Sequence, residues 1–246
     1  NKYLTYYKPA MQFVVFCAIM SMAFLVGSFL AEVLNNKFLG MGAVELSNLK
    51  SVSSEVAFKL KLLNPILLIF ILMLPALLFA YLAYPSATQY LGLHSKTSLN
   101  YFAIGVLILF VSLPFVSALE EWMQLIPFFK SIEKDNYNVL TEAMLAGTST
   151  SDLIINTLSI CLIPALAEEL LFRGCMQQIF LNWLKKYPYI AILIVAIIFS
   201  AFHGQLSGFI PRVYLGFILG LVYYYTGNLW ITIVMHFINN FITVFF

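Results

Sequence analysis

A few polar side chains in the last third of this sequence have types and spacing that suit chemistry. Glu168 and Glu169 are adjacent, and Arg173 follows Glu169 by four residues. His203 closes the run Phe199-Ser200-Ala201-Phe202-His203, and His236 and Asn240 are again four apart. On a helix, residues four apart share a face, and an acid N-terminal to a base is the favourable order. Glu169 and Arg173 therefore read as an ion pair. Glu168 is turned about 100° away from Glu169, which leaves one carboxylate neutralised and the other free. That free carboxylate is available for chemistry, and the imidazoles and the amide are polar groups suited to the same small site. Simpler readings exist for each piece alone. A Glu–Arg pair can lock two helices, a membrane histidine can be hydrogen-bonding glue, and Asn240 beside Asn239 can be a cap. All of them in this order, with almost no competing charge nearby, point to one small site.

The elements that must position these residues are apolar. Apolar residues make up 62% of the chain and charged residues 10%, against roughly 25% charge in a soluble domain. Mean hydropathy is +0.92. Most of such a surface must face lipid, so the expected fold is all-α, a polytopic membrane bundle with about seven spans. A spanning helix needs about 20 mostly apolar residues. The candidates are 11–34, 63–83, 98–119, 150–182, 188–203, 209–226 and 228–246, of which 188–203 is the shortest. The first of them is too long for the apolar core of a signal peptide and reads as a retained helix. The initial Asn suggests that the native start has been trimmed.

Two longer connections carry charge among apolar positions. Residues 35–62 hold Lys50, Glu55, Lys59 and Lys61; residues 120–149 hold Glu120, Glu121, Lys130, Glu133, Lys134 and Asp135 around Trp122, Leu125, Phe128 and Phe129. Both read as amphipathic segments at the membrane interface. No linker or repeat divides the chain, so 1–246 is expected to be a single membrane domain. Cys17, Cys161 and Cys175 match neither a zinc nor a disulfide pattern and read as small packing residues. The net charge of +2 comes with no basic stripe, so nucleic acid is not an expected partner. Lys and Arg are spread over both sides, and orientation stays open.

An ionisable side chain at bilayer depth is costly, about 2.5–3.5 kcal/mol on insertion scales. The first three spans nearly avoid it. The last four carry Glu168, Glu169, Arg173, His203 and His236; His94 lies in a polar loop.

The order Glu-Glu-x-x-x-Arg, Phe-x-x-x-His, His-x-x-x-Asn resembles the CPBP family, which comprises CAAX proteases and the bacteriocin-processing (Abi) intramembrane endopeptidases. Here it is Glu168-Glu169 with Arg173, Phe199 with His203, and His236 with Asn240. Gly174 and the run Gly216 to Trp230 are also similar. The resemblance covers about residues 150–246, with 1–149 as scaffold helices. It implies peptide-bond hydrolysis by water, with Glu168 as general base and His203 holding the water. His236 and Asn240 would stabilise the oxyanion, and Glu169, Arg173 and Phe199 would give support. Zinc is left open by the resemblance. Glu168, His203 and His236 are its ligands if one is bound, and a metal-free, glutamate-activated water fits as well; there is no His-Glu-x-x-His. The implied partners are a peptide or membrane-protein substrate, the lipid bilayer and a membrane partner protein, and the implied location is a bacterial cytoplasmic membrane. Two other readings stand beside hydrolysis: a catalytically silent binding or scaffold protein of the same fold, and a transporter or proton relay, which the lack of matching halves disfavours.

Overall fold

The computed structural model describes residues 3–94, 98–126, 137–147, 149–206 and 208–245. Regular structure among them is helical throughout. Seven long helices follow one another in alternating direction: α1 Pro9–Leu39, α2 Ser54–Ala83, α3 Leu99–Leu125, α4 Thr150–Trp183, α5 Pro188–Phe202, α6 Phe209–Thr226 and α7 Leu229–Phe245. Five of these are long and apolar enough to cross a membrane. Helices α5 and α7, at 15 and 17 residues, fall short. The expectation of seven spans thus becomes five helices of spanning length and two shorter ones. The apolar runs mark these helices, and the turn at His203 and Gly204 ends α5 early.

Contacts fix the two ends of the bundle. At one end the Thr5 hydroxyl donates to the Ala83 carbonyl at 2.8 Å, and Phe13 packs edge-on to Trp183. The Tyr189 and Tyr225 hydroxyls meet there at 2.6 Å. Exposed Tyr6, Tyr7, Tyr84, Tyr187, Tyr189 and Tyr225 gather at this end, where amphipathic rings sit well at the headgroup level. The other end holds the described acids outside the bundle centre, among them Glu45, Glu55, Glu121 and Asp152.

The interfacial segments are corrected in part. Within 35–62 only the short helix Ala43–Ser47 is separate, and Lys59 and Lys61 already belong to α2. Lys61 is buried. Its Nζ lies 2.9 Å from the Ala146 carbonyl and 3.3 Å from the Asp152 carboxylate at the start of α4. An acid on a neighbouring helix, invisible in local spacing, pulls this lysine inside. In the second segment α3 runs on through Glu120 and Glu121 to Leu125, and a helix follows at Tyr137–Leu145. Phe128, Phe129, Lys130, Glu133, Lys134 and Asp135 lie outside the described residues.

Three stretches are wound as π-helix: Ile69–Met73 in α2, and Thr157–Leu162 and Leu170–Gln177 in α4. The first two are followed by Pro75 and Pro164. Proline lacks the N–H that would bond four residues back, so the ladder is interrupted there and the wider winding takes up the gap. Such bulges are frequent at functional sites. The main core gathers Phe79, Leu91, Leu171, Phe172, Ile179 and Phe199 from α2, the turn after it, α4 and α5.

Candidate active site

Glu169 is fully buried on α4, and its Oε1 takes two partners. Arg173 Nη1 donates to it at 2.6 Å, one turn on, as the spacing predicts. His236 Nδ1, on α7, lies 2.9 Å from the same oxygen. Arg173 is also buried. Its Nη2 donates to the Gly216 carbonyl of α6 at 3.1 Å, and its guanidinium lies 4.6 Å from the Phe199 ring centre. The fit at Gly216 is tight, since a Cβ there would come within 3.1 Å of the Phe199 ring. A buried pair is tolerated only when further hydrogen bonds support it; here α6 and α7 supply one each, through Gly216 and His236, while Glu169 Oε2 and Arg173 Nε have no hydrogen-bond partner among the described residues.

Phe199 is the aromatic hub. Its ring meets Phe172, His203 and His236 edge-on, at centroid separations of 5.1, 5.0 and 5.9 Å. Its carbonyl lies 2.9 Å from His203 Nδ1. His203 closes α5, and Gly204 follows at φ +67°, the left-handed conformation that ends helices and that glycine adopts freely. The helix therefore stops with the imidazole at its rim. Ser200 Oγ donates to the Phe209 carbonyl at 2.7 Å and ties this end to α6.

The hydrogen bonds set the imidazole tautomers. A carbonyl and a carboxylate only accept, so the Nδ1 atoms of His203 and His236 carry the protons. In the neutral form each ring presents an Nε2 lone pair. Both lone pairs face Glu168: His236 Nε2 is 3.8 Å and His203 Nε2 is 3.9 Å from Glu168 Oε2. These separations are too long for hydrogen bonds and suit one small bridging group. Glu168 Oε2 is buried and has no direct partner. A cavity of about 320 Å³ reaches Glu168 and His203, lined also by Asn64, Leu67, Leu68, Ile71, Leu72, Phe172 and Phe202.

Glu168, Glu169, Arg173, Phe199, His203 and His236 are thus brought together from α4, α5 and α7. Asn240 lies one turn beyond His236, and its amide turns to the Cys161 carbonyl, 3.5 Å away. Spacing revealed the Glu169–Arg173 pair but not the second claim of His236 on Glu169. It also missed Asn64, because a single polar residue in an apolar run carries no pattern of its own. For zinc, no group of three His, Cys, Asp or Glu side chains disposed to hold a metal ion occurs among the described residues. Ligands 2.0–2.1 Å from a tetrahedral zinc stand about 3.3–3.4 Å apart, closer than the two separations at Glu168.

No solved structure matches this chain. The uncharacterized protein YpbD of Bacillus subtilis (strain 168) is 36% identical over 81 residues. That stretch is 31% of this chain and 38% of the relative's length, so the chain spans well under half of the curated relative it matches. Residues 150–242, which hold every residue of the Glu168 cluster, match the family model described as type II CAAX prenyl endopeptidase Rce1-like, in keeping with the CPBP resemblance of the motifs.

Proposed function

We propose that this chain is an intramembrane endopeptidase in which Glu168 activates a water molecule. The observation that carries this reading is the buried, unpartnered Glu168 Oε2 facing two imidazole lone pairs at 3.8 and 3.9 Å. Three acceptors converge there, and a water has two O–H groups to give them. Donating its protons to Glu168 and an imidazole leaves a lone pair of the water oxygen directed at a substrate carbonyl. The spacing favours such a water over a zinc ion.

In the step that follows, the water oxygen forms a bond to the peptide carbonyl carbon and one of its protons passes to Glu168. The carbonyl oxygen becomes an oxyanion. His236 is suited to take the second proton of the water at Nε2, because Glu169 at its Nδ1 stabilises the imidazolium, which then donates to the oxyanion; the N–H of Asn240 that does not face Cys161 is a further donor. When the C–N bond breaks, Glu168 returns its proton to the leaving amine. The substrate is a peptide or membrane protein presented within the bilayer, and the location a bacterial cytoplasmic membrane, with room for a membrane partner protein.

The test is to reconstitute the protein and its Glu168→Gln variant in liposomes with a membrane-protein extract and label newly formed N-termini. New termini with the parent alone, unaffected by a chelator, are the expected result. Equal products from both proteins would overturn the role of Glu168. Partners bound but never cleaved by either would favour the silent binding protein. Loss of cleavage on chelation, regained with zinc, would restore the metal.

A further inference from the structure

Helix α2 lies outside the segment that matches the family, yet it walls the cavity. Its lining residues are Asn64, Leu67, Leu68, Ile71 and Leu72. These positions follow the i, i+3, i+4, i+7, i+8 pattern of one helix face. Four are aliphatic and the first is an amide. Beyond Asn64 the stretch 65–80 of α2 has no other polar side chain.

The simplest role for Asn64 is to hold α2 against α4. Its Nδ2 donates to the Ser159 carbonyl at 3.3 Å. That contact uses one N–H of an amide that has a second N–H and a carbonyl oxygen with two lone pairs. Asn64 is half-buried, and its remaining groups have the cavity to face. The other polar groups of the cavity, Glu168 and His203, belong to the proposed water site. An amide left over at one end of an apolar stripe offers a donor and an acceptor, as a peptide bond does.

Dimensions agree. Residues 64 to 72 rise about 12 Å along α2, the length of about three to four residues of extended peptide. We propose that α2 is the substrate-binding wall, with Asn64 pairing to one backbone amide of an extended apolar peptide whose side chain lies on Leu68, Ile71 and Leu72. This rests on the protease reading for its choice of ligand. Sequence preference then comes from the N-terminal helices, while the hydrolytic groups come from the C-terminal ones.

The test reads binding, not turnover. Fluorescein-labelled apolar hexapeptides, unmodified or with one backbone N–H at a time replaced by N-methyl, are titrated against the Glu168→Gln protein in lipid nanodiscs and followed by anisotropy. Asn64→Leu in that background is expected to bind the unmodified peptides about tenfold more weakly, the size of one or two neutral hydrogen bonds. One N-methyl position should weaken the Asn64 protein to the same degree and the Asn64→Leu protein no further. Should Asn64→Leu fail to fold, the N-methyl scan on the Asn64 protein stands alone, and one sensitive position is the expected outcome. Binding of Asn64→Leu within twofold of its parent, losses that multiply at every position, a flat scan, or no binding of any hexapeptide would overturn the proposal. Peptides that bind in this way to a protein whose Glu168 form never cleaves them would sink the protease reading and leave the α2 wall in place.

Discussion

Helices α1 and α4 are of similar length, 31 and 34 residues, and treat polarity in opposite ways. Helix α1 buries Gln12 and Asn35 near its two ends and turns Phe24, Leu25 and Phe29 outward midway. Helix α4 buries Asn156, Ser159, Glu169, Arg173 and Gln177 along its interior. The difference lies in what surrounds them. Glu169, Arg173 and Gln177 meet partners from α6 and α7, where Gln177 Nε2 reaches the Gly220 carbonyl at 2.9 Å just as Arg173 reaches Gly216. A polar group in a membrane is sustainable where protein replaces water around it. Lipid cannot do this, and α1 carries no charged side chain from Pro9 to Ala31.

The sharpest way to probe this contrast is to separate chemistry from stability within α4. Glu168→Gln is expected to reduce cleavage by about 10³-fold or more, within the usual range for a lost general base. Its unfolding midpoint should stay close to that of the parent, since Oε2 has no partner to lose; parallel turnover and thermal-unfolding measurements decide it. Glu169→Gln strands Arg173 in the interior, and breaking a buried pair in this way is expected to destabilise the fold by about 3–5 kcal/mol. The double variant Glu169→Gln/Arg173→Met should regain most of that stability while its cleavage stays low, because His236 has lost the carboxylate at Nδ1. If cleavage returned with stability, Glu169 would be support for the fold alone.

The N-terminal half contributes a buried charge of its own, Lys61, and it gives a third comparison. Lys61→Met should lower the unfolding midpoint by a smaller amount and leave the turnover of the folded protein unchanged, since its partners Ala146 and Asp152 lie away from Glu168. A fall in turnover at equal folded fraction would show that the α2–α4 junction sets the site geometry. At the bottom of the scale stands the exposed Glu55–Lys59 pair, 2.7 Å apart on α2. Glu55→Gln should change neither quantity measurably, as exposed pairs contribute little.

What could be read from the sequence followed from local periodicity. The apolar runs located all seven long helices, and the four-residue step from Glu169 to Arg173 located their bond. Relations between helices were out of reach. Lys61 looked interfacial because Asp152 is 91 positions away. The step from His236 to Asn240 says nothing of the Cys161 carbonyl on α4, which the Asn240 amide reaches. The first three spans read as scaffold, since nothing in α2 alone shows that the face holding Asn64 turns toward Glu168.

The brevity of α5 has a consequence for where this molecule can work. Fifteen residues rise about 22 Å, while the hydrocarbon layer is about 30 Å thick. Exposed Lys185, Lys186, Tyr187 and Tyr189 hold the start of α5 at one headgroup layer, so the whole shortfall falls at the other end, beside His203. Hydrophobic mismatch of this kind draws the bilayer surface inward. A local dimple in the leaflet would bring bulk water down to the depth of the site, and its depth would vary with the acyl-chain length of the host lipids.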